Sequence, residues 1–420
     1  MRKTVILFLI FITLTLAAPA YAYTLGTDGA LPALISDTPA VPEVETASVK
    51  INGVSPLFTH APFLANGSTL VPVRAVMEHL GCKVGWEDAT QAVTITTVGK
   101  NISLAIGSDE IKVNGTVKKI PAPALLIGDV TYVPIRAVSE ALGATVGWDD
   151  AARTAGIYTY EKNHTLTVGA HTLAIGQTFD SFTAANGFPT YSVPGENGLT
   201  WHVYAASPDS FFTVGTDGGI LCAYYTNTPG FATAEGLNYG LTAPEDGKQY
   251  EFVRSGHVGF HKYYDVNQKI LCAVYAIADG YYNPHDIGAA LNGQARIGLD
   301  ILNTFRYANH LSPLVWDDAA AVCSADHARY MASVGELTHT GSDGSNAIER
   351  YLLYNPGFRW SSWGENICAG AKNIFTCMNG WRNSVQHRAI MLSDKTCAGI
   401  GFIHDPQGKY AYSAAMLLLR

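Results

Sequence analysis

The residue types best able to do chemistry gather late in the chain. His339 sits in Leu337-Thr338-His339-Thr340, Glu365 in Trp363-Gly364-Glu365-Asn366-Ile367, and His387 in Trp381-Arg382-Asn383-Ser384-Val385-Gln386-His387-Arg388. Two imidazoles and one carboxylate suit either a metal site or general acid–base work. Ser384 stands close before His387, as a nucleophile stands beside its base. No Gly-x-Ser-x-Gly elbow surrounds it, which argues against a serine hydrolase. His327, beside Arg329 and Tyr330 in a helical stretch, reads as a structural histidine. Trp360, Trp363 and Trp381 offer apolar faces that suit either a ligand groove or a core.

Spacing alone does not bring side chains together, so the elements that carry them matter. After Asn283-Pro284 the apolar period becomes helical. Ile297, Leu299, Ile301, Leu302 and Phe305 predict a helix ending near Asn309. A second starts at Trp316-Asp317-Asp318, capped by either aspartate, and runs to about Val334. A third is expected from about Asn346 to Tyr354 with Ser345 as its cap, and a fourth over about 373–383. A hairpin closes the chain, with strands at 399–404 and 409–418 around Asp405-Pro406-Gln407-Gly408.

Several motifs occur here in order: Leu302-Asn303-x-x-Arg306, Leu314-x-Trp316-Asp317, Ala325-x-His327, Thr338-His339-Thr340, Gly364-Glu365-Asn366-Ile367, Gly380-Trp381-x-Asn383-Ser384-x-x-His387-Arg388 and Gly399-Ile400-Gly401. Residues 290–420 thereby resemble the CAP superfamily (cysteine-rich secretory, antigen and pathogenesis-related proteins), in its bacterial SCP-like extracellular branch. The resemblance implies an α-β-α sandwich and a cavity lined by two His and two Glu. By motif the histidines fall on His339 and His387 and one glutamate on Glu365. The other glutamate has no counterpart, and Ser384 stands near its place. On this reading Glu365 is either a general base or a brace for its own turn. The two imidazoles would hold a divalent metal completed by water or Asp343, and nitrogen donors favour zinc over magnesium or calcium.

Upstream, residues 49–162 are an ungapped duplication at an offset of 62 residues. Lys50-Ile51-Asn52-Gly53 matches Lys112-Val113-Asn114-Gly115, Val71-Pro72-Val73-Arg74-Ala75-Val76 matches Val133-Pro134-Ile135-Arg136-Ala137-Val138, and Gly85-Trp86-Glu87-Asp88 matches Gly147-Trp148-Asp149-Asp150. Each proline opens a helix, 73–80 or 135–142, with Ala75, Val76 and Leu80 or Ala137, Val138 and Leu142 inward. Gly81 or Gly143 ends it, and strands such as 92–96 follow. This small α+β unit resembles the stalk domain also called copper amine oxidase N-terminal-like. His60 and His79 are unrepeated, so no copper site is expected; a spacer or wall-contacting module is.

Residues 165–285 read as short strands with many Tyr and Gly. Ile175-Gly176-Gln177-Thr178, Asn186-Gly187-Phe188-Pro189 and Leu199-Thr200-Trp201-His202-Val203-Tyr204 resemble the CAP-associated N-terminal domain. His257 and His261 flank Gly259 and do not form a helical metal pair. The fold class is therefore multidomain α+β: a duplicated stalk, a mainly-β middle domain and a C-terminal α-β-α sandwich.

Composition bounds the function. Residues 1–22 have Arg2 and Lys3, an apolar run and Ala20-Tyr21-Ala22, the pattern of a secretory signal peptide, and 23–48 read as a linker. Losing Arg2 and Lys3 takes the formal charge from −8 to −10, and an acidic chain is a poor partner for nucleic acid. No second stretch is long and apolar enough to span a membrane. Seven cysteines leave at least one unpaired within the chain. Cys82 reads as buried, Cys222 and Cys272 share matching strand contexts that suit a bridge, and Cys323, Cys368, Cys377 and Cys397 allow two bridges in three connectivities. The expectation is a secreted, envelope-associated protein binding a cell-wall or surface ligand or a metal. Its rivals are a hydrolase using Glu365 with a histidine-held water, and a purely structural wall protein.

Overall fold

The computed structural model describes residues 45–65, 67–195, 198–281 and 291–420. The predicted signal peptide and most of the predicted linker fall outside these residues. The linker's end is shorter than the sequence predicts, because Glu45–Thr46 and Ser48–Ile51 are already strands.

Helices are numbered α1 to α8: Val73–His79, Ile135–Leu142, Phe179–Asn186, Leu291–Ala308, Asp318–Val334, Ala347–Tyr354, Ile374–Asn383 and Val385–Met391. In each stalk repeat a strand runs straight into its helix through proline, Pro72 or Pro134, whose fixed φ suits the cap position. Gly81 and Gly143 take the positive φ that ends a helix. The buried face of α1 is Val73, Val76 and Met77, and that of α2 Ile135, Val138 and Ser139. Ala75, Leu80, Ala137 and Leu142 sit only at its margin, because packing selects one turn-to-turn stripe. The strands Ser68–Pro72 and Val130–Pro134 pair antiparallel with Val71 opposite Val133, so the repeats meet about a pseudo-twofold axis. They share one core, including Ile95, Ile102 and Ile157.

The middle domain is a seven-stranded antiparallel sheet flanked by a three-stranded one and by α3. Thr178 caps α3 by accepting from Ser181 N–H. Cys222 and Cys272 do not meet, although their strands are neighbours. The register sets Ala223 against Ile277, which leaves Cys272 well along the strand and near Asn379. All seven thiols are free, and those of Cys368 and Cys377 contact one another.

The C-terminal domain is a four-stranded sheet ordered Val315–Trp316, Cys397–His404, Tyr412–Leu419, Trp363–Ala369, between helices. Helix α5 lies directly on the Cys397–His404 strand, where a Cβ on Gly399 or Gly401 would stand 2.1 Å from the backbone nitrogen of Ala321 or Ala325. Helices α4 and α7 pack nearby, and α6 pairs with α5. The predicted cap holds at Asp317, which accepts from Ala320 N–H, and Asn373 caps α7 by accepting from Thr376 N–H. For α6 the cap is Asn346 rather than Ser345: its side chain accepts from Glu349 N–H, and Glu349 reciprocates. The middle and C-terminal domains share one apolar core, in which Phe375 of α7 stacks on Tyr225 with ring centroids 4.2 Å apart.

Candidate functional site

Three consecutive residues of the edge strand Trp363–Ala369 build the site. Side chains alternate along a strand, so Gly364 and Asn366 face one way and Glu365 the other. A Cβ on Gly364 would lie 2.8 Å from Ile390 Cγ2, so glycine here lets α8 close against the strand. Asn366, fully buried, donates from Nδ2 to the backbone carbonyl of His387 at 3.1 Å and ties α8 at that residue. Glu365, on the opposite side, is buried, and both its oxygens are engaged. Arg350 of α6 donates from Nη2 to Oε1 at 2.5 Å, and His339 Nδ1 bonds Oε2 at 2.8 Å.

Arg350 organises the other wall. Its Nη1 donates to the carbonyls of His339 and Ser345, both at 2.9 Å, so one guanidinium fixes the loop carrying His339 and neutralises Glu365. The His339 ring is 58% exposed. His387 is half-buried on α8. Burial lowers the His387 pKa, and the charge of His339 lowers it further, so the two imidazoles sense each other.

Other candidates go elsewhere. His327 is buried and donates from Nε2 to the Thr338 carbonyl at 2.7 Å, while Nδ1 has no protein partner; burial pushes its pKa down. Asp343 accepts from Ser345 N–H and lines, with His327, Cys323 and Arg350, a cavity of about 170 Å³. It is therefore held in its own turn. Trp381 is core, donating to the Ile367 carbonyl, whereas Trp360 and Trp363 lie on the surface. Ser384 ends α7 in extended backbone and starts α8, a helix to which the sequence reading assigned no element. His261 is buried in a strand beside Tyr250, and His257 faces Asp279.

Two residues that sequence reading missed matter most: Arg350 and Asp265. The carboxylate of Asp265, in the middle domain, is almost fully buried and pairs with Arg388 Nη1 at 2.7 Å, next to His387. The middle domain thus holds α8 in place. Among the described residues no group of three His, Cys, Asp or Glu is placed to hold a metal. Two imidazoles would supply half of a tetrahedral zinc shell, and Glu365 stands behind that of His339.

Residues 299–416 match the cysteine-rich secretory protein family, and residues 50–157 match the copper amine oxidase N-terminal domain. The C-terminal domain is a CAP domain. The chain also aligns with a solved extracellular SCP-domain protein of Bacillus anthracis at 18% identity and TM-score 0.47, over 59% of this chain and 93% of that one. A cysteine-rich secretory protein of Staphylococcus aureus aligns at 17% identity and TM-score 0.43, over 58% of this chain and 93% of that one. An outer surface protein of Borrelia burgdorferi aligns at 18% identity and TM-score 0.28, over 32% of this chain and 95% of that one. No curated protein matches. No described helix is long and apolar enough to cross a membrane.

Proposed function

We propose that this is a secreted, envelope-associated CAP-domain protein whose His339–Glu365–His387 site binds a ligand rather than hydrolysing one. A divalent cation between the two imidazoles is the first candidate. The stalk repeats and middle domain act as a spacer that carries the site. The observation behind this reading is the double engagement of Glu365, by Arg350 on one oxygen and His339 on the other. A carboxylate held in that way is a poor general base, because taking a proton from water would break a buried ion pair. It is a good brace. An imidazole donating Nδ1–H to it keeps the Nε2 lone pair for a ligand, the arrangement used by metal-binding histidines. With only two protein donors, a bound zinc would keep water or a ligand group in its remaining positions and would exchange readily.

Calorimetric titration of zinc into the mature chain tests this. One-site binding is expected in the wild type, none in His339→Ala/His387→Ala, and binding weakened about 10- to 100-fold in Glu365→Gln. No binding in the wild type rejects the cation. A hydrolytic turnover abolished by Glu365→Gln would favour the hydrolase instead.

A further inference from the structure

The stalk's internal symmetry exposes a second site. A groove of about 630 Å³ lies between α1, the Lys83–Glu87 strand and the Leu125–Val130 hairpin, lined among others by Arg74, Trp86, Gln91 and Leu126. Trp86 is 37% exposed, with its indole N–H donating to Asp88 at 2.8 Å, and Leu126 is 46% exposed.

The pseudo-equivalent groove of the other repeat is crossed by the chain itself. There Ser48 N–H donates to the Arg153 carbonyl and Ala47 N–H to the Pro62 carbonyl. The chain then continues as Glu45–Thr46 along the Phe63–Ala65 edge, with Glu45 opposite Leu64 and its carboxylate paired with Arg153. In the open groove the two acceptors are used in the same positions, by a chain running the opposite way: Ile106 N–H donates to the Gln91 carbonyl and Gly107 N–H to the Ala124 carbonyl. There the likeness stops. Ser108 N–H turns back to the Ala105 carbonyl, and the Leu125–Ile127 strand ends its sheet with no described strand on its outer edge. Leu125 and Leu126 correspond to Phe63 and Leu64, which the Glu45–Thr46 strand covers. Leu126 and Trp86 are exposed, whereas their counterparts Leu64 and Trp148 are half-buried.

We propose that the Leu125–Ile127 edge and its Trp86 groove bind an extended peptide, added as an antiparallel strand in the position that Glu45–Thr46 takes on the other repeat. An open edge offers unpaired backbone donors and acceptors at strand spacing, and alternate side chains of the guest enter the groove. Arg153, which takes a carboxylate, is replaced here by Gln91, so the guest carries a hydrogen-bonding side chain at that point without a required charge.

The test uses the full mature chain and a synthetic decapeptide with the sequence of residues 41–50, which contains the Glu45–Thr46 strand that covers the other repeat's edge. Saturable binding with a change in tryptophan fluorescence is expected. Trp86→Ala and Leu126→Asp, both surface substitutions checked for folding by circular dichroism, should each weaken it at least about tenfold. Trp148→Phe, in the covered groove, should leave it unchanged. The proposal is overturned if the wild type does not bind the peptide, or if binding persists in both groove variants. It is equally overturned if the groove instead binds chitotetraose in a Trp86-dependent way.

Discussion

Replacing Arg350 by Met probes the internal logic of the CAP site. The substitution keeps the apolar stem and removes three hydrogen bonds: two to the carbonyls of His339 and Ser345, and one to Glu365 Oε1. The Glu365 side chain is only 4% exposed, so its charge would lose its one strong partner and keep only the His339 imidazole. Breaking a buried pair from one side costs roughly 3–5 kcal/mol, most of it the penalty of a stranded charge. That is a large share of the roughly 5–15 kcal/mol that holds a typical domain together. Arg350→Met/Glu365→Gln removes the charge together with its partner and should be more stable than Arg350→Met by at least about 1 kcal/mol. Urea unfolding followed by tryptophan fluorescence measures both differences. The reasoning fails if Arg350→Met costs less than about 1 kcal/mol, or if the two single costs add without coupling.

Asp265→Asn should loosen α8, because it leaves the Arg388 guanidinium without its carboxylate. A loss of about 2–3 kcal/mol and faster amide exchange over residues 385–391 are expected, and unchanged exchange there would detach the middle domain from the site. Acid should weaken the middle domain through His202 and His261, which burial holds down at about 4 against 6.5 for a free imidazole. Below the free value the unfolded chain takes up protons that the native chain refuses. Stability is therefore full above pH 6.5 and is lost as the pH falls toward 4, by at most roughly 3 kcal/mol per histidine. Urea midpoints that stay flat from pH 7 to about 4.5 would contradict this.

Local signals were legible in the sequence wherever one residue type has one physical use. The duplication, the prolines ahead of α1 and α2, the glycines behind them and the Asp317 cap all lie in short windows. Asn346 was harder, because Ser345 and Asn346 are both good caps and only the reciprocal bond from Glu349 separates them. Helix α8 was missed because its seven residues span fewer than two turns, too short to show a period; it is placed instead by Gly364, Asn366 and Asp265. Arg350 follows Glu349 in a helix and looks like a surface charge until the fold sets it against Glu365.

The same contrast explains why the roles of the Gly-Glu-Asn run could not be read from its order alone. In a strand, neighbours point apart, so these three residues cannot form one cluster. Gly364 and Asn366 work for α8 and His387, while Glu365 works for Arg350 and His339. The backbone of His387 is thus tied to one face of the strand and the imidazole of His339 to a side chain on the other. A substitution that shifts this strand should disturb both histidines together, whereas Glu365→Gln should disturb His339 and leave the backbone bond from Asn366 to His387 intact. Proton NMR of the two imidazoles in Glu365→Gln distinguishes the cases: the His339 ring signals should move while those of His387 shift only as the charge of His339 changes.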